Sequence, residues 1–154
     1  MRSRVVGLVV VAILGVACSR ATGERPPPFP GPPDELRALA SDLRSRGATV
    51  QIGEAASEPF FSAAGRLLLV NGQEVRVFGF ETSKAATAAA AAVSPDGYSV
   101  GASEGGTTTV SQIEWVDTPH FYRRASLIVL YLGKDSATLK LLDALMGRQF
   151  AGGA

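Results

Sequence analysis

Apolar residues recur along much of the chain with the period of an amphipathic helix or of a half-buried strand. The first helical period follows Asp34, a residue type that caps helices, and it ends at Gly47. Its apolar residues, spaced i, i+3, i+4 and i+7, are Leu36, Leu39, Ala40 and Leu43. These signals predict an amphipathic first helix, and the following residues Ala48 to Ile52 predict a short strand.

The clearest strand signal lies between residues 66 and 80. Two segments, Arg66–Val70 and Gln73–Phe80, flank Asn71-Gly72, a dipeptide that tolerates the positive φ angles of a type I′ turn. This turn sets a register in which Leu68 is opposite Val75 and Leu69 is opposite Glu74. We therefore expect one polar face and one apolar face; the apolar face consists of Leu68, Val70, Val75 and Val77.

Two further helices are predicted. Thr82 or Ser83 can cap an alanine-rich helix that runs to about Val93, where Ser94-Pro95 ends it. Asp135 or Ser136 can cap a third helix, which ends at Gly147. The apolar stripe of the third helix consists of Leu139, Leu142 and Met146, with Leu141 and Leu145 beside it.

Two later apolar segments predict two more strands. A turn at Asp96-Gly97 and a loose Gly/Ser/Thr stretch lead to the first, Thr107–Val116, and Phe121–Leu132 forms the second. The last six residues of the second strand are apolar on both faces, which predicts a central strand that is covered on both sides. The second face of this strand can be covered by a helix, by the loop around Phe60-Phe61 or by a second copy of the chain.

Together these elements predict an α+β fold with the order α-β-β-β-α-β-β-α. Runs of consecutive strands favour a mainly antiparallel sheet, here of about five strands, with three helices packed on it. We assign residues 34–150 to this single domain and residues 151–154 to a tail. One domain is also what a chain of 154 residues accommodates.

The beginning of the chain has the pattern of a secretory signal peptide. Arg2 and Arg4 precede Val5 to Ala17, an uninterrupted run of thirteen apolar or glycine residues. A helix needs about 20 apolar residues to span a membrane, so this run fits the apolar part of a signal peptide better than a permanent membrane helix. Residues 1–17 are therefore predicted to be removed on export.

Cys18, the only cysteine, directly follows that run. The sequence Leu14-Gly15-Val16-Ala17-Cys18 resembles the lipobox of bacterial lipoproteins, with the leucine one position earlier than usual. The resemblance implies that diacylglycerol modifies the Cys18 thiol and anchors the mature chain to the membrane. The alternative is cleavage before Cys18 by an ordinary signal peptidase, which the small residues Gly15 and Ala17 also suit.

The residues after Cys18 have the composition of a spacer. Residues 19–33 contain six of the nine prolines, so they are predicted to form an extended polyproline II tether of at most about 45 Å. Two P-x-x-P patterns, Pro27 to Pro30 and Pro30 to Pro33, allow an alternative role as the ligand of a proline-binding surface.

Composition argues against several function classes. Fifteen Lys and Arg residues against fourteen Asp and Glu give a net charge of +1, so no broad basic surface for nucleic acid is expected. A single cysteine argues against a disulfide scaffold and a cysteine-built zinc site. The one histidine lacks a second ligand, and we expect neither a metal nor a cofactor.

The densest polar and aromatic cluster lies between Trp115 and Arg124. If Thr107–Val116 and Phe121–Leu132 pair, these side chains converge and form a candidate site for an anionic or aromatic ligand. The candidate residues are Trp115, His120, Tyr122, Arg123 and Arg124. The structural alternative, which we favour, places Trp115 in the core, the two arginines on the surface and His120 in a hydrogen bond to a loop.

A second pattern is similar to a catalytic motif. Gly101–Gly105 matches G-x-S-x-G around Ser103, and Asp117 and His120 follow in the order found in α/β-hydrolases. That motif requires a helix directly after the serine, whereas a Gly-Gly-Thr-Thr-Thr stretch follows here. We therefore expect no catalytic triad and assign no catalytic residue.

Several short motifs resemble those of a family of small uncharacterised bacterial lipoproteins. They are Glu58-Pro59-Phe60-Phe61, Val70-Asn71-Gly72, Ser94-Pro95-Asp96-Gly97, Pro119-His120-Phe121-Tyr122, Leu127–Gly133 and Gln149–Gly152. The resemblance spans most of the mature chain, implies an envelope location and a single domain, and carries over no catalytic residue.

These features predict an exported lipoprotein, held on the bacterial cell membrane or envelope by lipid on Cys18. Its expected role is that of a non-catalytic binding or assembly-support module whose partner is an envelope protein or a second copy of the chain. The alternatives are a small-molecule-binding accessory to a transporter and a small hydrolase centred on His120.

Overall fold

The computed structural model describes residues 33–104 and 107–153 of the chain. The predicted signal peptide, Cys18 and the tether up to residue 32 lie outside these residues. Three helices and eight strands follow one another in the described part. In chain order they are α1 (Pro33–Ser45), β1 (Val50–Ala56), β2 (Gly65–Val70), β3 (Gln73–Gly79), α2 (Ser83–Ala91), β4 (Ser99–Glu104), β5 (Thr107–Gln112), β6 (Pro119–Arg124), β7 (Leu127–Leu132), α3 (Ser136–Met146) and β8 (Ala151–Gly152).

Six strands form one antiparallel sheet in the order β1-β2-β3-β7-β6-β8. The other two, β4 and β5, pair with each other as a separate ribbon. The predicted α+β class, with three helices and a mainly antiparallel sheet, is confirmed, although the sheet has six strands rather than about five.

The helices α1 and α3 cover one face of the sheet. The predicted stripe of α1 is buried in this core, with Leu43 fully inaccessible. The apolar face predicted for the β2–β3 hairpin packs against it: Leu68, Val70, Val75 and Val77 are all fully buried. The hairpin register is as predicted, with Leu68 opposite Val75 and positive φ angles of 51° at Asn71 and 82° at Gly72.

The helix α2 and the loop around Phe60 and Phe61 cover the other face. Thr82 caps α2 by accepting a hydrogen bond from the Ala85 N–H at 3.1 Å, and the small residues Ala86 and Ala90 are buried against the sheet. The apolar run of β7 is divided between the two cores, with Val129 in the first and Leu130 in the second. The predicted central strand with two covered faces is thus confirmed.

Two strand predictions for the second half of the chain are wrong. The stretch predicted to be loose contains β4, which pairs with β5, so β5 does not pair with the 121–132 segment. That segment is two strands, β6 and β7, which turn at Ala125-Ser126. Ala125 has a φ of 51°, a conformation for which Gly or Asn is the usual sequence signal.

A contact distant in sequence holds this turn. The hydroxyl and the N–H of Ser126 both donate to Oε2 of Glu35, at 2.7 and 3.2 Å. The Phe80 N–H donates to the carbonyl oxygen of Ser126 at 2.9 Å. Because these partners lie in α1 and after β3, no local pattern could have predicted the turn.

The sheet also extends past residue 150, where the sequence predicted a tail. Ala151 and Gly152 form β8, and they lie opposite Phe121 and His120 of β6. Gly152 has a φ of 84°, and a Cβ at this position would lie 1.9 Å from the carbonyl oxygen of Pro119. Only glycine therefore fits where the chain closes against β6.

Candidate functional site

The candidate residues of β6 lie on opposite faces of the sheet, because successive side chains of a strand alternate. Tyr122 is buried in the core under α1 and α3, whereas Phe121 is buried in the core under α2. Arg123 and Arg124 are both exposed at the end of the strand. The structure therefore does not bring the predicted side chains together at one site.

His120 is buried, and both nitrogens of its ring are within hydrogen-bond distance of an oxygen atom. Nδ1 lies 2.8 Å from Oε1 of Gln149, and Nε2 lies 3.0 Å from the carbonyl oxygen of Gly133. The ring stacks on Tyr131 with centroids 6.0 Å apart. His120 thus joins the loop after β7 to the segment before β8, as the structural alternative expected.

Trp115 packs in the second core rather than lining an open site. Its ring contacts Phe60 and Phe121 edge to face, each at 5.9 Å between centroids. The indole N–H donates to the carbonyl oxygen of Gly97 at 2.8 Å. This side chain therefore holds the base of the ribbon on the sheet.

Tyr122 and Arg124 make contacts with the helices of the first face. Burial, and after it the nearby Asp143, raises the pKa of Tyr122 well above its ordinary value, so the hydroxyl stays protonated. Arg124 Nη1 lies 3.0 Å from a carboxylate oxygen of Asp42 and donates to the carbonyl oxygen of Leu145 at 3.3 Å. Arg124 therefore links β6 to both α1 and α3 through an ion pair and a hydrogen bond.

The G-x-S-x-G pattern lies in the ribbon. Ser103 belongs to β4 and is opposite Thr108 of β5, so a strand rather than a helix follows it. A nucleophile elbow places its serine between a strand and a helix, and the backbone around Ser103 does not have that geometry. Within residues 33–104 and 107–153, no group of three or more His, Cys, Asp or Glu residues is placed to hold a metal ion.

Sequence reasoning missed an open groove on the side of the sheet that α2 covers. One section, about 450 Å³, lies between the ribbon and the loop of Pro59 and Phe60. A second section, about 410 Å³, lies beside β1, β2 and β3. Glu58, which pairs with Arg76, is the one described residue that lines both sections, and we call the two sections together the acidic groove.

The residues of the acidic groove come from five separate parts of the chain, which is why no spacing pattern indicated it. Its carboxylates are Glu54, Glu58, Glu74 and Glu114. The sequence motif nearest to it is Glu58-Pro59-Phe60-Phe61, whose first three residues line the groove.

Comparison with protein-family models, with curated proteins and with solved structures finds no match to this chain. Of the helices in the described part, none combines the length and the apolar character needed to cross a membrane.

Proposed function

We propose that the chain is an exported lipoprotein, held on the bacterial envelope by lipid on Cys18, whose domain is a non-catalytic binding or assembly-support module. The observation that carries the non-catalytic role is the environment of His120, the only histidine. Both of its ring nitrogens lie beside structural oxygen atoms of Gln149 and Gly133. A general base needs a ring nitrogen that reaches the substrate, so this arrangement supports a structural role.

The junction between the predicted tether and the domain gives further support. The helix α1 begins at Pro33, the last residue of the proline-rich segment. Glu35 in its first turn accepts the two hydrogen bonds from Ser126 and so fixes the start of the domain to the sheet. A spacer joined to a rigid first helix suits the display of a folded module at a distance from a surface.

The lipid anchor is tested by mass spectrometry of the mature N-terminus together with membrane fractionation. We expect the wild-type chain to start at an acylated Cys18 and to sediment with membranes. A Cys18→Ser variant is expected in the soluble exported fraction, with a Ser19→Ala variant as the matched control that keeps the anchor. An unmodified thiol at Cys18, or a mature chain that starts after it, would refute the anchor.

The non-catalytic role is tested with a panel of ester and amide substrates. We expect no hydrolysis above the solvent rate for the wild type or for Ser103→Ala and His120→Gln. Hydrolysis that disappears in His120→Gln while the variant keeps its circular dichroism spectrum would contradict the proposal and support a hydrolase. Crosslinking in the intact envelope then identifies the partner.

A further inference from the structure

The acidic groove has the lining of a surface that binds an extended basic segment. Among the described residues that line its two sections, there are four carboxylates and one guanidinium, that of Arg76. Arg76 is already paired with Glu58, whose side chain is only 10% exposed. Glu54, Glu74 and Glu114 are exposed, so the groove presents negative charge to a partner.

Apolar and aromatic side chains also line the acidic groove. Phe60 is half-buried, contacts Trp115 edge to face and is preceded by the exposed Pro59. Val100 and Ile113 of the ribbon side line the same section. Polyproline II segments dock in aromatic-lined grooves, where rings such as that of Phe60 can pack on prolines. Exposed carboxylates beside such a ring can pair with a basic residue that flanks the prolines.

This chain contains a segment of the complementary chemistry. Residues 19–32 include Arg20 and Arg25 against a single acidic residue, Glu24, and Arg25 directly precedes three prolines. Phe29 and the P-x-x-P pattern from Pro27 to Pro30 follow. A purely mechanical tether needs only extended proline, so neither the two arginines nor Phe29 is required for that function.

The short chain between these prolines and α1 favours their binding to another copy over binding within the same chain. Pro27 and Pro30 precede Pro33 by six and three residues, which is about 10 to 20 Å of polyproline chain. Pro33 begins α1 on one face of the sheet, and Phe60 lies on the other face. Crossing from the helix layer past the sheet to the loop layer takes about 20 Å before any lateral displacement.

We propose that the acidic groove binds the proline-rich segment 19–32 of a second copy of this chain. Arg20 and Arg25 of one copy pair with the groove carboxylates of its neighbour, and the prolines pack on Pro59 and Phe60. Copies anchored side by side on one surface would then associate through their tethers. The contact needs no lipid, so it can be tested apart from the anchor.

The test uses the full mature chain with Cys18→Ser, which removes the only native thiol. Thr22→Cys then allows a spin label at position 22. Spin-labelled chains without isotope are mixed with ¹⁵N-labelled chains that carry no spin label. We expect broadening of the Phe60 and Glu114 amide signals in this mixture.

Charge reversal shows whether the proposed ion pairs cause the contact. Glu54→Lys with Glu114→Lys in the isotope-labelled chain, or Arg20→Glu with Arg25→Glu in the spin-labelled chain, should abolish the broadening. Combining both reversed chains should restore it. Glu81→Lys, which changes an exposed carboxylate outside the groove, is the matched control and should leave the broadening unchanged.

Three results would overturn the proposal. The first is no broadening in the mixture at any concentration used. The second is broadening only when label and isotope are on the same chain, which would mean that the segment binds its own domain. The third is broadening that charge reversal does not change.

Discussion

Replacing Gly152 by alanine tests how firmly the C-terminal segment is held against β6. The added Cβ would lie 1.9 Å from the carbonyl oxygen of Pro119, and the φ of 84° would be strained for any L side chain. The strain costs about 1 kcal/mol. Because the clash is with backbone, we expect β8 to detach.

Detachment relieves this strain but breaks three backbone hydrogen bonds, each 2.9 Å long, donated by the N–H groups of Phe150, Gly152 and Gly153. At about 1 kcal/mol each, their loss lowers the free energy of unfolding by about 3 kcal/mol. Urea unfolding followed by the fluorescence of Trp115, the only tryptophan, measures this change.

Two other glycines provide matched controls. Gly47 and Gly72 have φ angles of 86° and 82°, but a Cβ at either position meets nothing within 4 Å. Their replacement by alanine should therefore cost only the strain, about 1 kcal/mol. If Gly152→Ala costs no more than these two variants, β8 does not hold the C-terminal segment as described.

Three further variants test separate parts of the fold. Gln149→Ala removes the partner of His120 Nδ1 and a hydrogen bond to the Gly152 carbonyl oxygen. Urea unfolding should show that the free energy of unfolding falls by about 1 to 3 kcal/mol, and amide hydrogen exchange at Gly152 should accelerate. Leu130→Ala in the second core should cost about 2 to 5 kcal/mol, and an equal cost for the half-buried Leu132 would contradict the assigned core. Hydrogen bonds donated by the hydroxyl and then by the N–H of Thr138 lower the pKa of Asp135. The ionised cap therefore stabilises α3 at neutral pH, and this stabilisation is lost as the pH falls through the lowered pKa. The difference in Tm between wild type and Asp135→Ala should accordingly shrink in acid, and a constant difference would be evidence against the cap.

Most of the fold could be predicted because its signals are local. The stripe of α1, the Asn71-Gly72 turn and the cap of α2 at Thr82 each depend on residues within a few positions of one another. The two-sided burial of β7 was predicted for a similar reason, since six consecutive apolar residues cannot have a solvated face.

The failures have a common physical cause, which is that tertiary contacts overrode a weak local pattern. Ala125 adopts a positive φ because Glu35 and Phe80 hold the next residue in place. β4 consists of small and polar residues that resemble a loop, and its pairing with β5 makes it a strand. The predicted site depended on a wrong strand pairing, and the acidic groove combines carboxylates that are up to 60 positions apart, from Glu54 to Glu114.

The pairing of β3 with β7 has a consequence for the kinetics of folding. The β2–β3 and β6–β7 hairpins each have a short turn and can form within microseconds, whereas joining them must close the long connection between residues 79 and 127. We therefore expect the encounter of these two hairpins to limit the folding rate. Substitutions where β3 meets β7, such as at Val77 and Val129, should slow folding, whereas substitutions in the outermost strands should mainly accelerate unfolding.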